Sequence, residues 1–207
     1  MATQTHRTPA KLHAHALRLG AALALLLAVI LPCPGAHAAA LDACPTGAGY
    51  ATIQAAIDAA SGNPADTTTI RVQGNQTYLE NLDISSKHVR LVGTSSCQFV
   101  GAFARPVISG AGGAARSIVN INGEARRIGF EKLVLQRGDE LQNNVSYGGA
   151  IDISGGAHLV ELTEVQLDHS QAGLGGAISV RGPAQPGGSA QTAQLYLNQG
   201  VTISDNT

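Results

Sequence analysis

Arg137, His169 and Asp205, with Asp168 beside the histidine, are the residues of this sequence whose types and spacing could do chemistry together. Two acids, an imidazole and a guanidinium on one wall are the materials of polysaccharide cleavage, in which paired carboxylates divide the acid, base and nucleophile roles. They are distant in the chain: from 137 to 169 is 32 residues, and from 169 to 205 is 36. Only a repeat brings such residues together. Residues 133–138 read LVLQRG, 165–170 read VQLDHS and 201–206 read VTISDN. In each, the first and third residues are apolar and β-prone and the second is more often polar, the pattern of a strand with one buried and one exposed face. Superposed, the segments place Gln136, Asp168 and Ser204 in one column and Arg137, His169 and Asp205 in the next. With neighbouring strands about 4.8 Å apart, the outer members of a column lie roughly 10 Å apart. The ordinary reading of these columns is a solvated polar ladder, since nothing in the sequence selects them over other exposed residues.

The elements that would position them repeat as well. Gly148–Gly155 reads GGAIDISG and Gly175–Gly182 reads GGAISVRG, an offset of 27 residues. Each copy is a short strand of alternating apolar residues bounded by glycine, and no helical period lies between them. This predicts one coil of a parallel β-solenoid, with Ile151–Ile153 and Ile178–Val180 as parallel neighbours in register. Glycine-rich and polar insertions, Asp139 to Tyr147 and Gly182 to Thr192, stretch the other offsets and are expected as surface loops. About five or six coils are expected in all.

The rest of the composition suits a thin, layered interior: 207 residues hold 25 glycines, 3% aromatic residues and 13% charged ones. Residues 1–38 read as a secretory signal: a basic region ending at Arg18, an apolar run from Leu19 to Leu31, then Ala36-His37-Ala38. Removing them, with Arg7, Lys11 and Arg18 and no acid, takes the formal charge from −1 to about −4. An exported, weakly acidic chain argues against nucleic acid as partner. It is expected outside the cytoplasm: extracellular, at a cell surface such as the outer membrane, or in the periplasm. Cys44 and Cys97 are then the remaining cysteines, and pairing is expected in an oxidising compartment. No CxxC or His/Cys cluster points to a metal, His88, His158 and His169 read as isolated surface or turn histidines, and no cofactor is expected.

Residues 39–62 are expected to hold an N-terminal segment and capping helix, and residues 63–207 the solenoid. The helix is predicted over Tyr50 to Gly62, with Thr52 as its cap, Ile53, Ile57 and Ala60 as one apolar stripe, and Gly62 at its end. It would cover the first coil, whose open edge needs a lid. The stretch YATIQAAIDAA…TTIRVQGNQTYLENLDI…KHVRLVG, residues 50–93, resembles the N-terminal region of the pectin lyase-like superfamily, in which a TIQ-AI helix precedes a G-x-Y-x-E-N strand. The GGAI repeats ending in SDNT resemble those of polymorphic outer membrane proteins. Together these resemblances imply a right-handed parallel β-helix, an all-β fold with a short N-terminal capping helix.

They imply less about activity. The DTLY and DFIFG motifs of pectin methylesterases and the NTD, DD and GHG motifs of polygalacturonases do not occur. Asp168-His169 echoes a dipeptide of pectate lyases, without that family's calcium-binding aspartates or R-x-P-x-x-R element. No polysaccharide-cleaving activity is therefore expected of this chain alone. The expected function is a surface or extracellular binding or structural module, adhesin-like, with carbohydrate or a surface protein as partner. No closing element is read before Thr207, so a following region or a partner is expected to cap the solenoid. The alternative is the N-terminal part of a carbohydrate-active enzyme whose catalytic coils lie elsewhere.

Overall fold

The computed structural model describes residues 40–45, 47–63, 65–95, 97, 102–110, 116–123, 127–138, 147–156, 158–182 and 193–207. The predicted leader and most of both inserted loops lie outside the described residues. The elements run β1 (Ala40–Ala43), α1 (Ile53–Ala59), β2 (Thr68–Gln73), β3 (Thr77–Leu79), β4 (Leu82–Ser85), β5 (Val89–Thr94), β6 (Val107–Ser109) and β7 (Val119–Asn122). They continue with β8 (Arg127–Glu131), β9 (Val134–Gln136), β10 (Ile151–Ile153), β11 (Leu159–Thr163), β12 (Gln166–Asp168), β13 (Ile178–Val180), β14 (Gln194–Leu197) and β15 (Thr202–Ser204). The fold is all-β, in three sheets whose orders are β1-β2-β5-β8-β11-β14, β3-β6-β9-β12-β15 and β4-β7-β10-β13. Every pairing is parallel. From β2 onward the chain visits the three sheets in turn and adds one strand to each per circuit, an arrangement consistent with a solenoid-like fold.

The alternation read in the sequence becomes register. Ile151 pairs with Ile178 and Ile153 with Val180, the predicted neighbours. Leu135, Leu167 and Ile203 stack in one column, as predicted, and Tyr78 and Ile108 extend it. Ile70, Leu91, Phe130, Leu162 and Leu197 form another. These columns are the core, and all their members before the last coil are buried. Short strands suffice because each residue finds like neighbours in the coils on either side. Backbones also approach closely where the wall turns: a Cβ on Gly138 would lie 1.7 Å from the carbonyl oxygen of Gly149.

The helix closes the N-terminal end of these coils, and it is shorter than predicted. It spans Ile53–Ala59 and buries Ile53, Ala56 and Ile57, while the Thr52 side chain accepts a bond from Ala55 N. Ala60, not Gly62, ends it, in an extended conformation. The termination is enforced from outside, because Lys87 Nζ donates to the carbonyls of Asp58 (3.2 Å) and Ala60 (2.7 Å) and Ser61 N donates to Thr68 Oγ1. At the other helix end, the Glu80 carboxylate accepts from Ile53 N and Gln54 N at 3.1 and 3.0 Å, satisfying donors that a helix leaves open. The Gln54 amide then lies against the outer edge of β4. It donates to Asp83 O at 3.1 Å and accepts from Asp83 N at 2.9 Å, the two bonds a further strand would make. The first sheet begins with β1, ahead of the helix, and YLENLDI bends at Glu80-Asn81 into β3 and β4. Cys44 is bonded to Cys97, 53 residues on, with their Cα atoms 5.9 Å apart.

Candidate functional site

The chemistry-bearing columns lie at the end of the second sheet. Gln136, Asp168 and Ser204 are the last residues of β9, β12 and β15 and pair in register. Arg137, His169 and Asp205 follow at the corner with φ of 60°, 47° and 51°. Left-handed backbone is costly for ordinary side chains, so the repeated positive φ marks a turn of one fixed shape at these three coils. Strand pairing and this turn together put the three side chains on one edge. Arg137 donates its backbone N–H to Asp168 O at 3.2 Å, which ties the corner to the next coil.

Asp168 is the centre of the arrangement. His169 Nδ1 lies 2.8 Å from its Oδ1, Ser204 Oγ donates to the same oxygen at 3.1 Å, and Gln166 Nε2 donates to Oδ2 at 3.4 Å. The Asp168 side chain is 15% exposed and that of His169 64% exposed, so a shielded carboxylate orients an imidazole that faces solvent. Desolvation pushes the Asp168 carboxyl up. Hydrogen bonds from His169 and Ser204 and the attraction of the imidazole outweigh it, and the group lies below its ordinary value. One donor atom each from Asp168, His169 and Asp205 lies within 4.8 Å of the others. The structure thus brings together three of the four predicted residues as a cluster, and Arg137 stands in the same column one coil away, exposed.

Of the histidines read as isolated surface or turn groups, His169 departs from expectation and His158 keeps the turn reading. His169 is not isolated, because register places Asp168, Ser204 and Asp205 around it. His88 and His158 are 6% and 2% exposed rather than surface groups. His158 lies in the turn before β11, with Nε2 3.1 Å from Ser154 O, and so serves the corner rather than a ligand.

A second polar ladder was not singled out from the sequence. Asp83, Asn120, Asp152 and Ser179 pair across β4, β7, β10 and β13. Arg116 Nη2 bonds both oxygens of Asp83 at 2.9 and 3.1 Å, and Arg181 forms an ion pair with the buried Asp152. The Arg181 guanidinium lies 4.0 Å over the Tyr147 ring, a cation–π contact that seats the end of the first inserted loop on the wall. Half of this ladder was legible, since the two GGAI copies already align Asp152 with Ser179. Fold and site together define an all-β protein of three parallel sheets carrying polar ladders on its outer edges. No protein-family model matches the chain, and neither a curated protein nor a solved structure matches it.

Proposed function

We propose that the chain is an exported, right-handed parallel β-helix module of the pectin lyase-like type that acts in binding or structure at a cell surface, adhesin-like, rather than as a catalyst. The observation that carries this reading is the set of polar ladders held in register across the coils, Asp168 with Ser204 and Asp83 with Asn120, Asp152 and Ser179. The outer ladders, rich in Asp, Asn, Ser, Arg and Tyr, suit a carbohydrate or a polar protein surface.

The cleavage reading finds support in the Asp168–His169–Asp205 cluster, and its chemistry is weaker. A glycosidase pair needs one carboxyl held protonated as acid and one free as base or nucleophile. Both Asp168 oxygens already accept hydrogen bonds, so that residue is engaged in holding the corner. The full chain is therefore expected to release no product from pectate, methylated pectin or other acidic glycans, with or without calcium. It is expected to bind carbohydrate or a polar protein surface without cleaving it, in a manner that Asp83→Ala and Arg116→Ala weaken. Turnover that vanishes in both Asp168→Ala and Asp205→Ala would replace this reading with the enzymatic one, and binding unchanged in Asp83→Ala and Arg116→Ala would remove the ladder as its surface.

A further inference from the structure

We propose that Asp168, His169 and Asp205 form a binding site for a divalent transition-metal ion of the zinc or nickel type. The three residues offer a nitrogen and two carboxylate oxygens, a donor set that suits such ions when an imidazole is present and leaves coordination positions open to water or a ligand. Their donor atoms lie within 4.8 Å of one another, and His169 Nδ1 and Asp168 Oδ1, 2.8 Å apart as a hydrogen bond, need open by only a few tenths of an ångström to reach the roughly 3.0–3.3 Å between two ligands on one ion with bonds of about 2.0–2.1 Å. An ion there takes the position of the proton that Nδ1 shares with Asp168. Two features make the cluster more than adjacent charges on a surface. His169 and Asp205 occupy the same left-handed corner position in successive coils, so backbone register fixes their approach. Asp168 is held by Ser204 and Gln166, the outer hydrogen bonds that orient a ligating carboxylate. Arg137, one coil away in the column, is the cation that opposes binding.

The test follows His169 directly, because the full chain carries other histidines. The probe is zinc, read by histidine-ring NMR on wild type, His169→Asn, Asp205→Asn and Ser204→Ala. Asparagine tolerates positive φ, so the first two substitutions preserve the turn, and unchanged thermal unfolding of the metal-free variants confirms it. Zinc is expected to shift the His169 ring resonances with one ion per site. Asp205→Asn and Ser204→Ala are each expected to weaken that binding by about 10- to 100-fold, and His169→Asn assigns the reporting resonance by removing it. His169 resonances unmoved by zinc would overturn the proposal. So would an affinity that survives Asp205→Asn within about threefold, since the site would then not be the three-residue cluster.

Discussion

Replacing Gln54 with alanine tests whether a single amide closes the first coil. The side chain makes two bonds to the backbone of Asp83, at 2.9 and 3.1 Å, on the outer edge of β4. Each contributes about 0.5–1.5 kcal/mol net, so Gln54→Ala should destabilise by about 1–3 kcal/mol. In a protein of this size that is a fall in Tm of roughly 2–12 °C. The bond from Gln54 to Asp58 is exposed, and Asp58→Ala, the control, should stay within about 0.5 kcal/mol. Gln54→Glu keeps the acceptor for Asp83 N but sets a carboxylate against Asp83 O, beside Glu80 and Asp83, and should cost at least as much as alanine. Urea unfolding gives the magnitude, and hydrogen exchange gives the location. The Asp83 amide should exchange about 5- to 150-fold faster in Gln54→Ala, the factor that corresponds to that energy range. A Gln54→Ala protein as stable as Asp58→Ala, with Asp83 still protected, would refute the argument that the amide stands in for a strand.

Two further outcomes follow from the same region. Reducing the Cys44–Cys97 bond, which closes a loop of 53 residues, should cost about 4 kcal/mol in the chain-entropy model and lower Tm without abolishing the parallel register of the later coils; a Tm indifferent to reductant would count against it. Burial pushes the Tyr78 hydroxyl up to about 12; the hydrogen bond to Gln73 O acts in the other direction, and the charge of Glu80 adds to the rise. Because the folded value is raised, the stabilisation is complete below the unfolded value of about 10 and is lost as pH climbs towards 12. Absorbance of tyrosinate and unfolding midpoints across that window should show the loss in wild type and not in Tyr78→Phe.

What the sequence determined by itself was the repeat and everything the repeat enforces. Alternating apolar residues between glycines can bury one face only by stacking on copies of themselves, so GGAIDISG and GGAISVRG predicted the pairing of Ile151 with Ile178. The same logic predicted the columns of Asp168 and His169, because side-chain period and strand register are locked together. The helix was legible in type and not in length: its apolar stripe is local, but Lys87 and Thr68, which terminate it at Ala60, come from the first coils. Glu80 and Gln54 read as parts of a resemblance, and only tertiary structure showed them closing a helix end and a strand edge. The Asp83 and Asn120 rungs of the second ladder escaped because connections of unequal length separate them from Asp152, and spacing in the chain then carries no trace of spacing in the wall. The reason is common to all these cases. Local pattern decides which face of a strand is buried, whereas which polar groups meet across coils depends on register summed over loops of arbitrary length, and that sum is fixed only when the coils stack.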